Sequence, residues 1–125
     1  MKNRTKAFAL TVLKLIGALP DSRSGKITAN RLGRSGTSVG ANYRAACRAK
    51  STADMVAKPA VAEEEADENG FWLEISPEAG LMPLAKTAAL CKEADELAAT
   101  MVASRQPLLR NNRKSKLQNR KSAHS

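Results

Sequence analysis

Carboxylates cluster in the middle of this chain and are the first candidates for chemistry. Within six residues the sequence carries Glu63, Glu64, Glu65, Asp67 and Glu68. Carboxylates in helix-bundle cores can bind two metal ions, but such sites also use Glu-x-x-His motifs. The only histidine is His124, and on a helix the five acids would spread around more than half of the circumference. The pattern favours ion pairing and solvation over a metal centre, so we expect no metal and no other cofactor.

Nucleophilic catalysis finds little support in the sequence. A Ser-His-Asp or Cys-His arrangement would have to use His124, close to the end of the chain. Cys47 and Cys91 are too few and too far apart for a disulfide framework or a zinc site, and both stand among alanines as small buried residues do. The string GRSGTS at residues 33–38 lacks the lysine of a phosphate loop and follows no strand. We therefore expect no catalytic residues and no enzyme.

Basic residues recur at helical spacing between residues 26 and 49 and form a stripe. Small and apolar side chains fall on the opposite side of this predicted helix, including Leu32, Val39 and Tyr43. A cationic stripe cannot be buried without partners. It could face solvent, an acidic helix, another subunit or nucleic acid, and the sequence leaves these four possibilities open. The members of the stripe, which are candidate phosphate contacts, are Lys26, Arg34, Arg44 and Arg48.

The net charge of +9 is unevenly distributed along the 125 residues. Residues 1–50 carry a charge of +10, residues 51–104 carry −8, and residues 105–125 carry +7. Such asymmetry suggests pairing of a basic half with an acidic half, followed by a free basic tail. The tail is either a phosphate-binding arm or a solubilising terminus, and its scarcity of aromatic residues argues against base-specific readout. Its candidate contacts are Arg110, Arg113, Lys114, Lys116, Arg120 and Lys121.

Several large apolar residues lie off the predicted core stripes. On the third predicted helix Trp72 sits about 100° from the core stripe. Exposed apolar patches often mark interfaces, so these residues predict an oligomer interface. The alternative is that a kinked helix turns them inward. The candidate interface residues are Leu10, Leu13, Val61, Phe71, Trp72 and Ile75.

Helical periodicity divides the chain into four elements, and strand signals are nearly absent. We predict helices over residues 5–18, 26–49, 51–75 and 83–105, with Ser51 capping the third. Pro59 should kink or interrupt the third helix, Pro77 should end it, and Pro107 should end the fourth. Short connections predict an all-α, antiparallel up-down-up-down four-helix bundle over residues 1–106, followed by a disordered basic tail over residues 107–125. No run of 18 apolar residues exists and no convincing cleavage site follows the N-terminus, so we expect a cytoplasmic protein with no membrane role.

Four strings carry a family resemblance: RTKAFALTVLKLIGALP, LGRSGTSVGANYRAACRAKSTADMVAK, EEEADENGFWLE and EAGL. Over residues 4–104 the chain resembles the four helix bundle protein family, also called the 23S rRNA intervening-sequence protein family. The resemblance implies a left-handed bundle that often assembles as a homopentamer. A related branch includes the accessory protein of diversity-generating retroelements, a basic pentamer that binds nucleic acid. The chain departs from the family pattern at Ala45, Pro59, Gly70 and Pro77.

Two hypotheses for function follow. The first is a non-enzymatic homo-oligomer, a pentamer by resemblance, that binds RNA or DNA through the phosphate backbone. The second is an assembly or adaptor protein whose stripe pairs with its own acids or with a protein partner. Salt-dependent binding to nucleic acid would discriminate between them.

Overall fold

Four α-helices make up the protein, which we describe from a computed structural model. The structure describes the backbone of residues 1–123 and the side chains of residues 1–107 and 110. Its elements are α1 (Lys2–Ile16), α2 (Arg23–Arg48), α3 (Thr52–Glu78) and α4 (Leu84–Ala123), and residues 1–123 contain no strand. Each helix packs on the next and α4 also touches α1, whereas the diagonal pairs α1–α3 and α2–α4 do not pack. The predicted all-α four-helix bundle is therefore confirmed, while its handedness stays a prediction.

The helix ends follow from short-range chemistry. Ser51 Oγ accepts a hydrogen bond from the Asp54 N–H at 3.2 Å, which confirms the predicted cap of α3. Ser22 caps α2 in the same way, because its Oγ accepts from the Gly25 N–H at 3.1 Å. After α3 the chain turns at Gly80, whose φ of 73° suits glycine and few other residues. These caps satisfy donors that the first helical turn cannot pair.

The core is built from aliphatic side chains and alanines, with Phe8 as its one fully packed aromatic ring. Small residues let α1 and α2 approach closely. A Cβ built on Gly36 would lie only 2.8 Å from Val12 Cγ1, so no larger residue fits there without movement. The buried apolar residues that pack together in this core are Phe8, Val12, Leu32, Val39, Ala62, Ala66, Leu73, Leu90, Ala94, Leu97, Ala98 and Met101.

One polar link crosses this core between α2 and α3. Asn69 is fully buried, and its Nδ2 donates to Leu32 O at 3.1 Å and to Ser35 Oγ at 3.0 Å. Ser35 Oγ in turn donates to Arg31 O at 2.7 Å. Because a buried amide needs partners, these bonds favour one register of α3 against α2.

Helices α3 and α4 both continue past prolines that the sequence predicted as ends, and α3 is not interrupted at Pro59. Helix α3 is uninterrupted at Pro59 and includes Pro77, ending one residue later at Glu78. Helix α4 passes Pro107 and reaches Ala123, so the predicted end near residue 105 is wrong. The division of the chain into a bundle over residues 1–106 and a tail over residues 107–125 stays a prediction. Each proline removes a single hydrogen bond, and helix continues because Ala62 and Ala66 pack beyond Pro59 and good helix formers follow Pro107. A bend at Pro59 stays a prediction.

Candidate nucleic-acid interface

A groove between α1 and α2 collects positive charge. It has a volume of ≈ 410 Å³ and contains three cations and no acid. The floor is low because Gly40 is buried against Thr5 and because Ala9 and Ala41 add little bulk. The complete lining consists of Lys2, Asn3, Thr5, Lys6 and Ala9 from α1, with Thr37, Gly40, Ala41 and Arg44 from α2.

The antiparallel packing of α1 and α2 explains why these cations meet. The first turns of α1 lie beside the last turns of α2, as the contact between Thr5 and Gly40 shows. Lys2 and Lys6 stand four residues apart, so they occupy one face of α1. Arg44 and Arg48 do the same on α2, and all four side chains are exposed. Among the described side chains, none of the four forms an ion pair with a carboxylate.

The other half of the predicted stripe is neutralised inside the molecule. Arg34 pairs with Glu65, with Nη1 at 3.2 Å from Oε1, and also with Glu68. These hydrogen bonds, first to Glu68 and then to Glu65, raise the pKa of Arg34 above its usual value. Lys26 pairs with Asp21 at 3.3 Å across the turn before α2. The stripe therefore divides into a paired half and an open half.

Several basic residues outside the groove pair with acids or lie further along α4. Arg4 binds Glu93 and Glu96 of α4, and its hydrogen bond to Glu93 lowers the pKa of that carboxyl. Arg105 pairs with Glu63, and Arg110 is exposed. The other candidate contacts on α4 have side chains outside the described residues: Arg113, Lys114, Lys116, Arg120 and Lys121. A role for any of them in nucleic-acid binding stays a prediction.

Sequence reasoning missed Lys2 and Lys6. Each is an ordinary exposed lysine when α1 is considered alone. Two signals were present, namely their spacing of four residues and the lack of any acid in α1. Neither signal shows that these lysines lie beside α2, and it is the contact between α1 and α2 that makes them part of a groove.

The candidate interface residues differ in exposure. Leu10, Leu13 and Phe71 are exposed by 58%, 48% and 54% of their surface, and Val61 by 38%. Trp72 is only partly exposed and packs against the core, with its ring 5.7 Å from that of Phe71 in an edge-to-face arrangement. Ile75 is likewise partly exposed. Participation of these six residues in an oligomer interface stays a prediction.

Three carboxylates of α3 act as ion-pair partners. Glu63, Glu65 and Glu68 each hold an arginine, which confirms the interpretation of the cluster as paired charge for these three. In the part of the chain that the structure describes, no group of three or more His, Cys, Asp or Glu side chains could hold a metal ion. No helix among the described residues is long and apolar enough to cross a membrane.

Comparison with known proteins gives one family and one structural relative of note. Residues 1–103 match the family described as 23S rRNA-intervening sequence protein. The fold is similar to a crystal structure of a protein of unknown function from the S23 ribosomal protein family of Bacteroides thetaiotaomicron VPI-5482. The two share 27% identity with a TM-score of 0.78, over 84% of this chain and 97% of that one. We find no match among curated proteins. The chain therefore belongs to the 23S rRNA-intervening sequence protein family.

Proposed function

We propose that this protein is a non-enzymatic homo-oligomer that binds RNA or DNA through the phosphate backbone, with the α1–α2 groove as its main contact. One observation carries the proposal. Lys2, Lys6 and Arg44 line one groove whose lining contains no acid. Neither these three nor Arg48, which stands four residues beyond Arg44 on α2, forms an ion pair among the described side chains. A site that concentrates cations without partners suits a polyanion.

The geometry favours backbone contacts over base readout. The groove holds no aromatic side chain on which a base could stack. Lysine and arginine on two rigid helices position phosphates but do not report sequence. Binding should therefore depend weakly on sequence and strongly on salt.

Oligomerisation would strengthen such contacts. Each subunit would add one groove, so a long nucleic acid could engage several grooves at once, and avidity would exceed the affinity of one groove. The family resemblance favours a pentamer. The cations that follow Pro107 on α4 would extend the contact surface of every subunit.

The assembly or adaptor hypothesis remains the second candidate function. It is favoured by the exposed apolar residues Leu10, Leu13 and Phe71, which need a protein partner rather than a phosphate. It predicts no retention of RNA, duplex DNA or single-stranded DNA by the full-length protein at low salt.

The test compares two pairs of neutralised charges. The groove pair, Arg44→Gln with Arg48→Gln, removes one cation of the groove and the exposed cation four residues beyond it on α2. The α4 pair, Lys86→Gln with Lys92→Gln, removes two exposed lysines from α4. Anisotropy titrations with single-stranded RNA and duplex DNA would be run over a range of salt concentrations. Losing two phosphate contacts should reduce the log–log salt slope by about 1.4 on single strands and about 1.8 on duplex DNA. The α4 pair should change neither slope nor affinity.

Two results would contradict the proposal. Equal losses for the groove pair and the α4 pair would show that net charge, and not the groove, drives binding. Absence of binding by the full-length protein at low salt would reject nucleic acid altogether. A third variant lacks residues 107–125. It should bind with lower affinity and show a flatter salt slope, because fewer phosphate contacts remain.

A further inference from the structure

The outward side of α1 forms an apolar ridge on a helix whose charged residues are all basic. Leu10 and Leu13 stand on this ridge and are among the most exposed large apolar residues of the described chain. Leu10, Thr11 and Lys14 line a shallow hollow of ≈ 300 Å³. Helix α1 contains no acidic residue. The ridge would therefore suit an acidic surface with an apolar centre.

A surface of that description lies between α3 and α4. A groove of ≈ 360 Å³ is lined by Asp67, Gly70, Phe71 and Glu74 from α3 and by Cys91 and Asp95 from α4. Phe71 is 54% exposed there, and Gly70 leaves the groove open, since a Cβ on it would meet only Ala94 at 3.8 Å. Among the described side chains, its three carboxylates have no cationic partner.

Two groups of the groove have pKa values that are raised first by burial and then by neighbouring acids. Burial, then the charges of Glu63 and Asp95, raises the pKa of Asp67. Burial, then the charges of Asp95 and Glu74, raises the pKa of the Cys91 thiol. A cation entering the groove would relieve this repulsion.

The ridge and the groove cannot meet within one chain. Helices α1 and α3 occupy diagonal positions in the bundle and do not pack on each other. The ridge therefore lies on a different helix from the groove, which is lined by α3 and α4. Two different, complementary surfaces on one subunit are the requirement for a heterologous contact.

We propose that copies of this chain associate head to tail, with the Leu10–Leu13 ridge and Lys14 of one copy seated in the Phe71 groove of the next. This inference rests on the assembly part of the proposed function and adds the surfaces that join. Such a contact closes into a ring when the rotation between subunits permits, and it forms a filament when it does not. Nucleic acid does not fit the groove, because Asp67, Glu74 and Asp95 would repel phosphates.

Complementation between two variants tests the geometry. Leu10→Glu places a carboxylate on the ridge, where it would oppose the acids of the groove. Phe71→Lys replaces the apolar centre of the groove and repels Lys14. Each variant alone should sediment as a monomer at micromolar concentration, with helical content and thermal stability retained. A 1:1 mixture should form a complex of at least two chains, because the intact groove of one variant fits the intact ridge of the other.

Two controls separate this inference from the proposed function. Leu84→Glu changes a residue that is 66% exposed and belongs to neither surface, so it should leave the assembly intact. Leu10→Glu should keep RNA binding through the α1–α2 groove, with lower avidity than the assembled protein.

Each alternative outcome rejects a distinct statement. A monomeric wild type would overturn the proposed assembly. RNA binding is measured separately, so that result would not decide it. An oligomeric wild type whose variants both stay oligomeric would overturn only the surfaces named here. Variants that dissociate alone and fail to associate when mixed would indicate symmetric contacts, which contradicts head-to-tail packing. Dissociation of only one of the two variants would also contradict head-to-tail packing, because only one of the two surfaces would then take part in the contact.

Discussion

Helix α2 presents basic side chains to both neighbouring helices, and only α3 supplies carboxylates for them. On the α3 side, Arg34 meets Glu65 and Glu68. On the α1 side, Arg44 meets a helix without a single acid and shares a groove with two lysines. One stripe on one helix is thus neutral along one seam and strongly positive along the other. Whether a charged stripe is structural or available for binding is decided by the helix opposite.

The two seams also differ in how they pack. The α1–α2 seam depends on close approach at Gly36, with no cross-helix hydrogen bond between its described side chains. The α2–α3 seam has the buried Asn69 bonds in its interior and ion pairs at its edge. Shape sets the first seam, and polar chemistry sets the second.

The largest effect on this contrast should come from Gly36→Ala. The new methyl group would lie 2.8 Å from Val12 Cγ1 and 3.1 Å from Asn69 Nδ2, so it would disturb both seams. Overpacking of this kind costs about 1–3 kcal/mol, which should exceed the gain of about 1 kcal/mol from replacing a helical glycine. Chemical denaturation should show a lower free energy of unfolding.

Gly70→Ala is the matched control for that substitution. It makes the same change within α3, where the new Cβ would meet only Ala94 Cβ at 3.8 Å. We expect stabilisation by about 0.5–1 kcal/mol, since the propensity gain meets no clash. Equal effects of the two substitutions would contradict the assignment of Gly36 to a tightly packed seam.

Charge reversal on the two sides of α2 should change stability less than Gly36→Ala does. The reversal on the α3 side should lower stability, whereas the reversal on the α1 side should lower RNA affinity. Arg34→Glu places a third carboxylate beside Glu65 and Glu68, so the melting temperature should fall, though less than for Gly36→Ala. Arg44→Glu replaces one of three cations in the groove, so stability should change by less than about 0.5 kcal/mol. The RNA affinity of Arg44→Glu should nevertheless fall steeply. Equal melting temperatures for the two variants would contradict the distinction between the ion-paired Arg34 and the unpaired Arg44.

Features that depend on local sequence could be predicted, whereas features that depend on packing between helices could not. The face of each helix that enters the core could be read from periodicity, and the cap at Ser51 from local chemistry. The continuation of α3 through Pro59 could not, because packing of Ala62 and Ala66 on neighbouring helices outweighs a local penalty of about 3 kcal/mol. The groove cations Lys2 and Lys6 were missed because their place in the groove depends on which part of α2 lies beside them. The sequence of α1 alone does not contain that information.

The smallest predicted effect concerns the α3–α4 groove, where the charge imbalance is acidic. Burial and the neighbouring Glu63 and Asp95 raise the pKa of Asp67 in the folded state. The unfolded carboxyl loses its proton first, so the folded state binds more protons as the pH rises from about 4. Stability should therefore fall through that window and stay lower above it. Asp67→Asn should raise stability at neutral pH, by less than about 0.5 kcal/mol because solvent screens this exposed side chain.

The control for Asp67→Asn is Glu64→Gln, which removes an exposed charge from α3 outside the groove. Both variants would be unfolded with urea at neutral pH and near pH 3, below the ordinary aspartate pKa of about 3.9. The advantage of Asp67→Asn over the control should be present at neutral pH and absent near pH 3, where Asp67 is protonated in both states. An advantage that persists in acid would show that packing is responsible, and not the cost of holding a charged Asp67 partly buried beside Glu63 and Asp95. The acidic groove would then no longer be the electrostatic counterpart of the basic groove between α1 and α2.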